Sequence, residues 1–167
     1  MNLQFWVILL TCGASANTEF KKERITMKKT IALAAVAALA GTAVAQSITI
    51  DVSGVNSWGF SGDAQNEFID VFLGAGASIT SIAWDVNLTT VAPSWLDENT
   101  MTFNGAQSIN VAAGDAFTGT NVNYAGSTGS AIVLDGTGML SIEVHEVGFD
   151  DIVGGVDSFY EQGSSIT

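Results

Sequence analysis

After residue 45 the chain alternates apolar and polar positions in short runs divided by Gly, Asn, Asp and Ser, and helical periodicity is almost absent. Ile48, Ile50 and Val52 share one face of the first run, and Ile69, Val71 and Leu73 share one face of the second. The strongest alternation covers residues 81–89, where Ile82, Trp84, Val86 and Leu88 point one way and Ala83, Asp85 and Asn87 the other, which predicts a core strand. Pro93, the only proline, interrupts pairing in the segment Val91-Ala92-Pro93-Ser94-Trp95. Weaker strands are predicted over 100–103, 108–111 and 116–121. The tetrapeptide Asp135-Gly136-Thr137-Gly138 has the chemistry of a tight turn and predicts a hairpin between residues 131–134 and 139–147. In the second arm Leu140, Ile142 and Val144 would face inward, and Ser141, Glu143 and His145 outward. Segments 121–130 and 154–163 are too long and too rich in Gly and Ser for tight hairpins, so they predict crossings between sheets, and residues 164–167 predict a closing strand. Eight or so short strands without an intervening helix predict an all-β fold, a single antiparallel β-sandwich of jelly-roll-like topology, with a barrel as the alternative.

The segment before residue 46 reads differently. Met27 is followed by Lys28 and Lys29, then by an apolar run over 31–40, then by Ala43-Val44-Ala45, the small-x-small pattern that signal peptidase requires. This predicts a helical secretory signal peptide over 27–45, cleaved before Gln46, and a secreted domain over 46–167, extracellular or periplasmic. A membrane span needs ~20 apolar residues, more than this run supplies. Residues 1–26 then stand upstream of a complete signal. Lys22-Glu23 can be encoded by AAG-GAG, a bacterial ribosome-binding sequence, three codons before Met27, so residues 1–26 are read as a mis-assigned upstream extension. The rival reading makes Leu9-Leu10-Thr11-Cys12 a lipidation box, but no Lys or Arg precedes its apolar run and Thr is a poor residue before the Cys.

The leader also divides the chain by charge. All five basic residues, Lys21, Lys22, Arg24, Lys28 and Lys29, precede Gln46, whereas of the seventeen acids only Glu19 and Glu23 do. Residues 46–167 therefore carry fifteen acids, no Lys and no Arg, for a net charge near −15. No basic patch can form there, which excludes nucleic acid and anionic membrane surfaces as partners and leaves a glycan or an extracellular protein. Solubility by like-charge repulsion accounts for such acidity, and attraction of cations such as calcium is the functional alternative. The only cysteine, Cys12, lies in the leader, so the domain has neither a disulfide nor a thiol nucleophile, and about 120 residues suffice for one core without staples.

Two loops carry candidate chemistry. Trp58-Gly59-Phe60-Ser61-Gly62-Asp63-Ala64-Gln65-Asn66-Glu67 combines permissive glycines with oxygen ligands from Asp63, Asn66 and Glu67, a set that suits the six to eight oxygens calcium takes, although an ordinary turn needs the same residues. Asp150, Asp151 and Asp157 form a second acidic cluster, read as calcium ligands on the same ground or as a solvated loop. Glu143, Glu146 and Asp150 could supply the carboxylate pair of a glycosidase, but fifteen acids produce such pairs by chance. His145, the only histidine, rules out multi-histidine metal sites, and Gly59-Phe60-Ser61-Gly62-Asp63 lacks the final Gly of a nucleophile elbow. Trp58 and Trp95 lie in loop-like contexts and are the candidate ligand-binding aromatics, whereas Trp84 is assigned to the core.

The 58–66 loop, Ile82-Ala83-Trp84-Asp85-Val86, Pro93-Ser94-Trp95-Leu96-Asp97-Glu98 and residues 157–166 together resemble uncharacterised secreted bacterial acidic β-sandwich proteins related to PEP-CTERM-type exported proteins. The resemblance covers most of 56–167, and the chain lacks the Pro-Glu-Pro motif, apolar span and basic terminus of the tailed members. The late segment is also similar to the closing strands of CUB and proprotein-convertase P domains, which implies a calcium role for the acidic loops. The expected function is a non-enzymatic binding or surface-matrix module, with a calcium-dependent carbohydrate-binding domain as the alternative and a glycosidase-like enzyme third.

Overall fold

The computed structural model describes residues 45–167. The segments expected to be a signal peptide and an upstream extension, with Cys12, therefore lie outside the described residues, apart from Ala45 at the expected cleavage point. Ten strands form two antiparallel sheets packed face to face, a β-sandwich as the alternation predicts. One sheet holds β1 (Ile50–Asp51), β2 (Asn56–Ser57), β4 (Ser78–Thr90), β7 (Val122–Val133), β9 (Ser158–Tyr160) and β10 (Ser165–Ile166). The other runs in the order β3 (Glu67–Phe72), β8 (Met139–Glu146), β5 (Asn99–Phe103), β6 (Gln107–Ile109). The chain changes sheet repeatedly, and β4 is the axis of the larger sheet. Its one edge pairs with β7 along its length, and its other edge pairs first with β10 at Trp84–Asp85 and then with β9 over Leu88–Thr90.

The apolar faces meet in one core. Ile82, Val86 and Leu88 of β4 are buried against Ile69 and Val71 of β3, Met101 and Phe103 of β5, and Leu140, Ile142 and Val144 of β8, with Trp84 and Leu73 packed at its margin. Val52 is also buried, and β10 closes the larger sheet as the last run predicts.

Four expectations are corrected. The Asp135 turn is not a hairpin, because β7 belongs to the larger sheet and β8 to the smaller. Asp135 caps the turn by accepting from the Thr137 backbone N–H at 2.8 Å, and Gly138, at φ 69°, sits so close to the Gly74–Ala75 backbone that a Cβ would come within 2.4 Å of it. The turn carries the chain across the sandwich. Residues 121–130, expected as a crossing, form most of β7, since small residues there make room for the bulky side chains of β4. Residues 116–121, expected as a strand, form a loop whose Gly119 carbonyl accepts from Thr90 N–H at 2.9 Å. Finally, Glu143 and His145 point away from the core as expected but are buried, because the 58–66 loop and neighbouring strands cover that face.

Candidate functional site

The loops at one end of the sandwich bring four segments together: 57–66, 91–98, residue 117 and 146–157. Backbone hydrogen bonds tie them, from Glu146 N–H to Gly59 O at 2.8 Å, Asp157 N–H to Ser57 O at 3.0 Å, Val91 N–H to Asp157 O at 2.8 Å, Val147 N–H to Glu98 O at 2.8 Å and Leu96 N–H to Phe117 O at 3.0 Å. Phe60 also bridges to Glu146 in parallel register.

The 58–66 loop is built around Asn66. Its Oδ1 accepts from the backbone N–H groups of Trp58 and Gly59, at 3.3 and 3.2 Å, and its Nδ2 donates to Phe60 O at 2.7 Å and to Glu143 Oε1 at 2.9 Å. Glu143 in turn accepts from Gly62 N–H at 2.6 Å and Ser61 Oγ at 2.8 Å. Burial alone would raise the Glu143 pKa, but these donors and nearby His145 outweigh it and hold the carboxylate below its ordinary range. Glu143 thus clamps the loop to β8. His145 is spent on structure too: Nδ1 donates to the Glu146 carbonyl at 3.0 Å, and Nε2 meets Thr102 Oγ1 at 2.8 Å. Ser61 donates to Glu143 and not to His145, so no Ser-His-Asp relay is assembled.

Behind this loop runs a buried polar chain. Tyr160 donates to Asn99 Oδ1, Asn99 Nδ2 donates to Ser158 Oγ at 2.8 Å, and Ser158 Oγ donates to Glu146 Oε1 at 2.9 Å. Glu146 is only 1% exposed, and its Oε2 has no hydrogen-bond partner. Asp157, fully buried, accepts from Ser94 Oγ at 2.8 Å and Ile152 N–H at 3.1 Å through Oδ1, while its Oδ2 has no partner. Asp150 Oδ1, Ser57 Oγ and Trp58 Nε1 are likewise buried without a partner. The Ser57 hydroxyl lies close enough to the Glu146 carboxylate to favour its charged form as a donor, although the contact is too long or bent for a well-formed hydrogen bond. Burial first, and then the repulsion of Asp157 and Glu98, push Glu146 up to about 7 against the two serine hydroxyls. Burial also raises Asp157, where Asp150 and Asp151 add repulsion, and Glu98, where Asp151, Asp97 and Asp157 do. Glu98 accepts from Trp95 N–H at 2.7 Å, which partly opposes the rise.

The residues singled out from sequence separate into groups. Asp157 is buried with Glu146, Asp150 is half-buried near them with its Oδ1 covered, and Asp151 is exposed. Asp63 is exposed, but its Oδ2 and that of Asp150 both come within 3.6 Å of the point where a Gly59 Cβ would stand. Asn66 is committed to its loop. Glu67 turns toward β2, accepting from Asn56 Nδ2 at 2.7 Å. Among the described residues no group of three or more His, Cys, Asp or Glu is placed to hold a metal ion. Trp58 is half-buried and Trp95 is exposed, with Phe60, Phe117, Val147, Phe149 and Val153 exposed on the same converging segments. Ser57, Glu98, Phe117 and Phe149 escape sequence reasoning as parts of one site, and Glu146, noted from sequence only as a candidate glycosidase carboxylate, meets Asp157 only through the folding of distant segments. Comparison with protein-family models, curated proteins and solved structures finds no match.

Proposed function

We propose that residues 46–167 form a non-enzymatic binding or surface-matrix module of an exported protein, with the loop end as its ligand face. The observation that carries this reading is the exposure of Trp95, Phe60, Phe117 and Phe149, each at least 46% accessible, around carboxylates that are buried or already hydrogen-bonded. Flat apolar rings beside polar groups suit the faces of sugar rings or the apolar side chains of an extracellular protein. Catalysis by the glycosidase route needs two carboxyl groups that both reach the substrate. Glu143 is locked to the loop and Glu146 is covered, which favours binding over turnover.

A panel of soluble polysaccharides, assayed by affinity electrophoresis for retardation and by reducing-end release for hydrolysis, tests this. The expected result is retardation by at least one polysaccharide, reduced roughly tenfold or more in affinity by Trp95→Ala, as loss of a hot-spot aromatic would do. Hydrolysis of any of them would overturn the non-enzymatic reading, and a panel without retardation would remove the glycan in favour of a protein partner.

A further inference from the structure

A sheet ends in strands whose outer N–H and C=O groups lack a partner, and proteins blunt such edges with short strands, charges or proline. Among the described residues, three of the four edges of this sandwich are blunted in that way. The larger sheet ends on one side in β1 and β2, of two residues each, and the smaller sheet ends in β6, of three residues, and in β3, which carries Glu67 and Asp70. The fourth edge is β7, twelve residues long, without a charged residue or a proline. It lies in the longest uncharged run of residues 46–167, from Ala116 to Leu134.

The hydrogen bonds of β4 show which groups of β7 stand open. Ala83 exchanges backbone bonds with Thr167 at 2.7 and 2.8 Å, and Asn87 O accepts from Glu161 N–H at 2.7 Å, so both residues turn their backbone groups away from β7. Their partners on β7, Ser127 and Asn123, and Ala125 between them, therefore direct N–H and C=O outward, where no described residue meets them. Gly129 has the same orientation, and its carbonyl accepts from Gln107 Nε2 at 3.0 Å, which closes that end of the edge. We propose that two copies of the chain pair antiparallel along β7, about a two-fold axis at Ala125, so that their larger sheets become one. In that register Ala125 faces its own copy and Asn123 faces the partner's Ser127, and the three pairs exchange about six N–H···O=C bonds. A contact between identical edges closes on itself as a dimer. Charge selects a second copy over a basic partner. A basic strand would be matched by acids on the edge, and β7 has none, whereas two polyanions meet most easily along an uncharged strip. Asp85, opposite Ala125 on β4, would stand about 14 Å from its copy, three strand spacings away and beyond the screening length of about 8 Å at physiological salt. Its Oδ1 already accepts from Asn123 Nδ2 at 2.9 Å.

Sedimentation equilibrium of the full chain tests this. In about 1 M sodium chloride, which shortens the screening length to about 3 Å, the weight-average mass is expected to rise from one chain at about 10 μM toward two at about 1 mM, and to rise less in about 0.1 M salt. Hydrogen exchange read at single amides locates the contact: the N–H groups of Asn123, Ala125 and Ser127 should exchange on the order of tenfold more slowly at the higher protein concentration. Ala125→Lys sets two lysines opposite each other and should keep the protein monomeric, even though it lowers the net negative charge. Gln162→Lys makes the same charge change in the exposed turn before β10 and should keep the dimer. Ser127→Pro removes an N–H that β4 does not use and should also prevent pairing. Because position 125 is exposed and the Ser127 N–H lies outside the β4 ladder, both proteins should still melt cooperatively in dilute solution. A parent of one-chain mass throughout, a dimer that persists in Ala125→Lys and Ser127→Pro, growth beyond two chains, or association weakened by salt would each overturn the proposal. Protection of the three amides that is independent of concentration would overturn it too, by showing that residues of the same chain before 45 cover the edge. Trp95→Ala should leave the mass curve unchanged, so the ligand face and the dimer edge are read separately.

Discussion

Glu146 concentrates the chemistry of the molecule in one side chain. In the unfolded chain it ionises near its ordinary value of 4.5, and in the folded chain burial pushes it up to about 7. The folded state therefore holds a proton that the unfolded state releases between those values. Stability from this group is fully present below pH 4.5 and is lost as pH rises through 7. Asp157 and Glu98 are raised as well and act in the same direction, whereas Glu143 is lowered and its contribution is lost as pH falls through its folded value. The expected profile is a maximum on the acid side of neutrality. Urea titrations at pH 5 and pH 8 check it: stability should fall by roughly 3 kcal/mol from the Glu146 shift, an order-of-magnitude figure. Glu146→Gln should flatten the decline, because the amide carries no charge at either pH. A parent protein equally stable at both values would contradict the assignment.

At the scale of elements, β4 and β7 show what alternation reveals and what it hides. β4 was legible because Ile82, Trp84, Val86 and Leu88 repeat with period two in a run free of Gly and Pro. β7 was not, because Gly126, Ser127, Gly129 and Ser130 carry the composition of a loop. The missing signal lies in the partner strand. Gly126 pairs with Trp84, and a Cβ there would stand 2.6 Å from the indole, so glycine is the residue that lets the ring lie across the strand. Gly129 pairs with Ser81 over open space. Gly126→Val should accordingly destabilise by about 1–3 kcal/mol through overpacking, while Gly129→Ala should fold unchanged, as measured by urea unfolding followed through tryptophan fluorescence. The candidate site was legible to a similar degree. Asp150 and Asp157 stand out as acids in a loop, but nothing local in Glu146 or Ser57 distinguishes them from the alternating positions of ordinary strands. Their meeting depends on the register of β8 and β2 with distant segments. The Asp135 turn failed for the same reason: its residues specify a reversal of the chain, not which sheet receives the next strand.

For the whole molecule, charge is the dominant long-range term. Fifteen acids on residues 46–167 repel one another with no basic residue to interrupt the field, and the repulsion is strongest where Glu98, Glu146, Asp150, Asp151 and Asp157 crowd one end. Monovalent salt screens exposed charges over a Debye length of about 10 Å at 0.1 M and about 3 Å at 1 M, so added sodium chloride should raise Tm progressively. The screening acts on the surface and barely reaches a buried pair. Sodium chloride should therefore stabilise the parent and Glu146→Gln by a similar increment. Melting curves of the two proteins across a series of sodium chloride concentrations measure the increment. A Tm indifferent to sodium chloride would mean that the acids are spread widely enough for water alone to screen them, and would leave the buried pair as the only part of the molecule where charge limits stability.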